Sequence, residues 1–228
     1  MAFQLDKVVP WGRNFNEYKS MFSLTEEDLG GRIVGFGDGP ASFNYELSMK
    51  GGRIISLDPI YQFDTEQIRR QISSTKDIVI QQTRENKENY IWTSIRSLEE
   101  LECIRMEAMN RFLDDYEKGR YEGRYISHEL PARTEYSDDY FDIGLSSHFL
   151  FLYKELGTEF HKQAISEMIR ICKEVRIFPI VDLDGNISDV TKEVIEYFNK
   201  SYTVDTIIVD YQFQKKGNQM LRIRKRGV

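Results

Sequence analysis

Cysteine and histidine are scarce: the 228 residues include two cysteines, Cys103 and Cys172, and three histidines. The cysteines lie far apart and form no C-x-x-C pair, so neither a disulfide framework nor a zinc site is expected. Long hydrophobic runs are missing too. The longest uncharged apolar stretch, residues 143–153, falls well short of the roughly 20 residues a membrane helix needs. The N-terminus lacks the basic-then-apolar pattern of a secretory signal, which points to the cytoplasm and away from membranes. Positive charge is in deficit: 31 Lys+Arg against 37 Asp+Glu give a formal net charge of -6. The field of the whole molecule therefore repels a phosphate backbone, and no nucleic-acid partner is expected. The one basic run, Arg222, Arg224, Lys225 and Arg226, alternates with Leu221 and Ile223 as in a solvated, half-buried strand. No repeat or low-complexity linker divides the chain, so residues 1–228 read as one domain.

Along that domain, strands and helices alternate. A short helix at residues 15–22 and a T-x-x-D helix start at Thr25 to Asp28 precede an apolar strand at 32–34. A glycine turn follows, then a helix over 41–50 with Pro40 in its first turn. Gly51-Gly52 ends that helix, and a buried strand at 53–57 stops at Asp58-Pro59. Strand, helix and strand in about 30 residues form a right-handed βαβ unit with parallel strands, so the protein is α/β.

Residues 64–123 turn helical and charged, with a capping-box signature at Ser97-Leu98-Glu99-Glu100. Leu98, Leu101, Ile104, Ala108, Phe112 and Tyr116 follow at helical spacing. This helical insertion after the second strand is longer than a crossover requires and would form either a lid over a site or a stabilising flap. Strands are then expected at 125–130, 141–146 and 174–181, helices at 159–172 and 188–199, and a terminal hairpin from 204–213 and 219–226 through Lys215-Lys216-Gly217-Asn218. That hairpin gives an otherwise parallel sheet one antiparallel strand. Cys172 falls on the buried face of its helix and reads as core; His161 reads as surface, and His128 lies mid-strand without a clear role.

The sharpest chemical feature is Gly35-Phe36-Gly37-Asp38-Gly39 between the first strand and first helix, with Asp58 about 20 residues on at the end of the second strand. Glycines there let a ligand approach the backbone, and a carboxylate at the second strand end can accept both hydroxyl hydrogens of a ribose. This pattern predicts a nucleoside-cofactor site. A dinucleotide fingerprint would want glycine where Pro40 stands, which disfavours NAD.

The G-x-G-x-G form with Asp58, together with Ser137-Asp138-Asp139-Tyr140-Phe141-Asp142 leading into an apolar strand, resembles the class I S-adenosylmethionine-dependent methyltransferases. Val8-Val9-Pro10-Trp11-Gly12-Arg13, Pro40-Ala41-Ser42-Phe43-Asn44, Ser147-His148-Phe149-Leu150-Phe151-Leu152-Tyr153, Arg176-Ile177-Phe178-Pro179 and Gly217-Asn218-Gln219-Met220-Leu221 further resemble a bacterial methyltransferase-like group of unassigned substrate. The resemblance implies a Rossmann-like fold: a seven-stranded, mostly parallel sheet with one antiparallel strand and helices on both faces.

It implies S-adenosylmethionine as cofactor, S-adenosylhomocysteine as product, no metal, and a small-molecule methyl acceptor whose identity the sequence does not carry. Gly35, Phe36, Gly37, Asp38 and Gly39 would line the cofactor, Asp58 would hold the ribose hydroxyls, and Pro59 or Ile60 would lie beside the adenine. Leu130 and Pro131 would frame the adenine edge, and Ser147 and His148 would face the sulfonium, with His148 the candidate base. Trp11 and Arg13 would close over the carboxylate or pin the arm to the sheet. The family usually places an acidic residue two positions before the first glycine; Ile33 stands there, so Asp38 or the N-terminal arm would hold the methionine amino group instead. A module that binds the cofactor without consuming it is the rival reading.

Overall fold

A computed structural model describes residues 9–226; Val8, the first residue of the arm motif, lies outside the described residues. Helices α1 (Phe15–Met21) and α2 (Glu26–Gly30) each open on a reciprocal capping box, Asn14 with Glu17 and Thr25 with Asp28, so side chains satisfy backbone donors that the first helical turn leaves free. Strand β1 (Arg32–Phe36), helix α3 (Phe43–Met49) and strand β2 (Arg53–Leu57) form the expected parallel βαβ unit, in register from Arg32↔Arg53 to Phe36↔Leu57. Helix α3 starts later than expected. Its N-cap is Ser42, which leaves Pro40 in the preceding turn rather than in the helix.

After β2 come a 3-10 turn (Pro59–Gln62), helix α4 (Thr65–Glu85), a second 3-10 turn (Lys87–Asn89) and helix α5 (Leu98–Tyr121). At the start of α5, Ser97 caps Glu100 N–H, while the Glu100 carboxylate accepts from Arg96 N–H at 2.6 Å rather than completing the box on Ser97. The remaining elements are β3 (Tyr125–Ile126), β4 (Phe141–Ser147), α6 (Thr158–Ile171), β5 (Cys172–Phe178), α7 (Asp189–Asn199), β6 (Tyr202–Ile208) and β7 (Gln219–Lys225). They complete a seven-stranded sheet in the order β3-β2-β1-β4-β5-β7-β6, parallel except for β7, which runs antiparallel to both of its neighbours.

Alternation along the inner strands divides the core in two, because successive side chains of a strand face opposite sides. Val34, Phe36 and Leu57 pack with Ala164, Ile165 and Met168 of α6 and Val194 of α7. Ile33, Ile54, Ile143 and Leu145 pack on the other face with Phe15, Tyr18 and Met21 of α1 and Phe43 and Leu47 of α3. Helices α4 and α5 pair over Tyr61 and Tyr125 around Ile68, Ile72, Phe112 and Tyr116. The basic run at the C-terminus lies in β7 as a solvated strand: Arg222 and Arg224 pair with Asp205, and Lys225 with Asp139.

The chain proceeds outward from β1 to β2 and β3, then returns to place β4 on the other side of β1. Loops leaving the carboxyl ends of β1 and β4 therefore diverge and open a crevice between them, the usual binding place in open α/β sheets.

Candidate active site

At the end of β1 the chain turns through Gly37 (φ 68°) and Gly39 (φ 54°), in the left-handed region that favours glycine. Gly35 has a different reason to lack a side chain. A Cβ there would fall 1.8 Å from Asp38 Oδ2, so the glycine gives the Asp38 carboxylate room to fold back over the strand end. That carboxylate accepts hydrogen bonds from the Tyr18 hydroxyl at 2.8 Å and the Ser56 hydroxyl at 2.6 Å. Asp58 accepts from Gly39 N–H and Ile60 N–H, both at 2.8 Å, and so ties the glycine turn to the end of β2. Burial pushes both carboxyls up, each to about 6; at Asp38 the Asp58 charge adds to the effect, and hydrogen bonds to each carboxylate oppose it.

The N-terminal arm is clipped onto the same turn. Gly12 lies so close to Pro40 that a Cβ would come within 2.0 Å of the Pro40 carbonyl oxygen, and Ser42 N–H donates to Arg13 O at 3.0 Å. Arg13 donates through Nη1 to Trp11 O at 3.0 Å, whereas its Nε is buried without a partner. Among the described residues no carboxylate lies within ion-pairing distance of it. Burial, and then repulsion from Arg105, lower its pKa.

Arg105 of α5 is a buried cation, 1% exposed. Its Nη1 bridges both Glu17 oxygens at 2.6 and 2.7 Å, and its Nη2 donates to the Tyr211 hydroxyl, which donates onward to Glu17. Burial alone would raise the Glu17 carboxyl, but Arg105 and Arg13 overcome it and hold it below the ordinary range.

From β4, Ser147 and His148 reach the same space. His148 has φ 51° and donates its backbone N–H to Phe178 O at 2.6 Å. Its Nδ1 lies 3.0 Å from Ser147 Oγ. Burial, Arg13 and Arg105 drive its pKa well below the ordinary value, so the imidazole is neutral at pH 7.

These groups surround one cavity of about 310 Å³, within the size range of small-molecule sites. Trp11, Arg13, Gly37, Asp38, Gly39, Asp58, Pro59, Ile60, Ser147 and His148 all line it. Four residues expected at the cofactor do not. Phe36 points into the core, because it sits on the same side of β1 as Val34, and Gly35 lies behind the lining, where it gives Asp38 room. Leu130 packs in the core beside Leu57, and Pro131 lines a separate groove with Arg170 and Tyr197; β3 stops at Ile126, so the chain has left the sheet before reaching them. Ile33 is fully buried in the core of the opposite face.

The structure corrects the histidines and Cys172. His161 is fully buried, with its ring nitrogens 2.6 and 2.9 Å from the Gly157 and Leu150 carbonyl oxygens and its ring stacked on Phe151. His128 sits in the loop beyond β3, its Nε2 3.0 Å from Ala132 O. Cys172 is core as expected but opens β5 instead of closing α6.

The sequence reading missed Arg105, Glu17, Tyr18 and Tyr211. Arg105 had a signal: it follows Leu101 by four residues and precedes Ala108 by three, a position that helical periodicity reserves for an apolar side chain.

Over 223 residues the chain is 37% identical to the uncharacterized protein MJ0045 of Methanocaldococcus jannaschii, covering 97% of this chain and 98% of that one. The chain belongs to that protein's family. No protein-family model matches it. Among solved structures, a TehB-like S-adenosylmethionine-dependent methyltransferase of Corynebacterium glutamicum superposes with a TM-score of 0.50 at 15% identity, over 93% of this chain and 88% of that one. Magnesium protoporphyrin IX methyltransferase of Synechocystis, solved with S-adenosylhomocysteine, gives a TM-score of 0.45 at 10% identity over 88% and 77% of the two chains. The fold of the family is the class I methyltransferase fold, with β7 as its antiparallel strand.

Proposed function

We propose that this chain is a methyltransferase that binds S-adenosylmethionine in the cavity and methylates a small molecule. The observation that carries the reading is the meeting of the glycine turn, Asp58 and a half-buried arginine with an unpartnered Nε at the crevice between β1 and β4, on this fold. The donor set fits the cofactor. Arg13, half-buried without a counter-ion and with its Nε unpartnered, suits the methionine carboxylate, since a guanidinium donor shielded from water is costly until an anion joins it. Asp38 supplies the carboxylate that Ile33 does not, and would face the amino group. Gly39, beside which a Cβ would meet nothing within 4 Å, leaves space at the turn. Asp58 retains lone pairs for ribose hydroxyls, and Pro59 and Ile60 would flank the adenine.

When bound, the cofactor supplies an electrophilic methyl group on a sulfonium sulfur. The protein's part is to align the acceptor, exclude water and take up a proton where the acceptor carries one. His148 would accept that proton at Nε2, which has no hydrogen-bond partner among the described residues. Helices α4 and α5 would close the site as a lid. No helix among the described residues is long and apolar enough to cross a membrane, and a cytoplasmic enzyme without a metal is the reading we favour.

Replacing Asp58 by Ala tests the site. It should weaken S-adenosylhomocysteine binding at least tenfold, about 1.4 kcal/mol, with the circular-dichroism spectrum unchanged; equal affinity in the variant would remove the ribose assignment.

A further inference from the structure

The cavity extends beyond the glycine turn, beneath a roof built from three separate segments. Helix α4 contributes Val79 and Thr83, α5 contributes Leu101, and Tyr90 and Phe213 come from the loops after α4 and β6. The two loops are joined: Ile91 N–H donates to Phe213 O at 2.7 Å, Lys215 N–H donates to Asn89 O at 2.8 Å, and the Tyr90 and Phe213 rings stack at 4.8 Å. The loop side of the roof is therefore held by backbone pairing and aromatic contact.

Its charge is the informative property. Helices α4 and α5 are densely charged along their outer faces, yet the only ionised side chain they turn to the cavity is Arg105. That guanidinium already has its counter-charge: Nη1 is held by Glu17 and Nη2 by Tyr211, and only Nε, buried, has no partner. Burial pushes the Tyr90 hydroxyl up to about 12, so it remains a neutral phenol. The Thr83 hydroxyl already donates to Val79 O at 2.8 Å. With Arg105 neutralised by Glu17, and with Arg13, Asp38 and Asp58 taken by the cofactor in the methyltransferase reading, a charged molecule under this roof would lose its hydration without a free counter-charge. An aromatic ring would instead meet the side chains of Val79, Tyr90, Leu101 and Phe213.

We infer that the space beneath Val79, Tyr90, Leu101 and Phe213 binds an uncharged aromatic compound. This inference rests on the methyltransferase reading, in which that compound is the methyl acceptor.

Three probes of matched size decide it at pH 7.5: 4-methylphenol, 4-methylbenzoate and 4-methylbenzylamine, which are neutral, anionic and cationic. Each is titrated into the protein saturated with S-adenosylhomocysteine, with ligand-observed NMR and calorimetry as readouts. The neutral phenol should bind at least tenfold more tightly than either charged probe. Val79→Phe, which fills the space, should weaken it at least fivefold while leaving S-adenosylhomocysteine affinity unchanged; the ranking on the unmutated protein stands independently of that variant. A charged probe binding as tightly as the phenol would overturn the inference, and so would no binding of any probe to a protein that binds S-adenosylhomocysteine. Failure of S-adenosylhomocysteine itself to bind would refute the cofactor reading separately, and the same ranking measured on the ligand-free protein would then decide the character of the roof.

Discussion

Lowering the pH from 7.5 to 5 should weaken S-adenosylhomocysteine binding by about tenfold for each of two carboxylates, Asp58 and Asp38. Both are buried and titrate at about 6 in the free protein. Both must be ionised when the ligand is bound, one to accept ribose hydroxyls and the other to face an ammonium. At pH 5 a group of that pKa is about nine-tenths protonated, so binding must expel its proton at a cost of about 1.4 kcal/mol. The combined loss is about a hundredfold, or about 2.8 kcal/mol. The ligand has no group of its own that titrates in this window, so the dependence belongs to the protein. Calorimetry in buffers of different ionisation enthalpy should detect up to two protons released at pH 5 and almost none at pH 7.5. Asp58→Asn should reduce the span to about tenfold. An affinity constant within twofold across the range, or tighter at low pH, would refute the placement of both carboxylates on the ligand.

The same two groups give the ligand-free protein a stability term that falls with pH. Their folded pKa is raised, so between pH 4.5 and 6.5 each holds more proton in the folded state than in the unfolded chain and contributes about 2 kcal/mol that is lost as pH rises through this window. His148, held neutral in the fold, works in the opposite direction. The measure is therefore the stability of the original protein relative to Asp38→Asn/Asp58→Asn by urea denaturation, which should fall by about 4 kcal/mol from pH 4.5 to 6.5; a constant difference would contradict the two shifts. Arg105→Met leaves Glu17 buried without its bidentate partner and should cost about 3–5 kcal/mol, measured by urea denaturation, with much of the loss recovered in Glu17→Gln/Arg105→Met; full stability in the single variant would contradict the pair's role. Gly35→Ala forces Asp38 off the strand end and should lower both the melting temperature and S-adenosylhomocysteine affinity, the latter at least tenfold; a variant that binds as tightly as the original would show that the Asp38 position is immaterial.

The strands that frame the site were readable because parallel strands covered on both faces appear as continuous apolar runs, as at Arg32 to Phe36 and Phe141 to Ser147. The glycine turn and Asp58 were readable because φ and close approach constrain residue type there. Sheet edges were harder. Strand β3 pairs over only two residues, and β6 ends at Ile208 because the following chain leaves to form the roof with Phe213, so both came out too long.

His161 was misplaced by residue type, although it precedes Ala164 and Ile165 by three and four residues and so shares their buried face. Arg105 shows the same lesson. A charged residue at an apolar position of a helix has a buried partner to find, but the partner, Glu17, is 88 residues away. No local pattern connects Glu17, Arg105 and Tyr211; only packing of α1, α5 and the loop after β6 brings them into one hydrogen-bonded cluster.

The most direct measurement is a calorimetric titration of the purified protein with S-adenosylmethionine, S-adenosylhomocysteine and NADH in parallel, after mass spectrometry has checked for ligand carried through purification. The account predicts one site of micromolar affinity for the first two and none for NADH. Absence of binding by both sulfur ligands to ligand-free protein, or binding of NADH in their place, would contradict it.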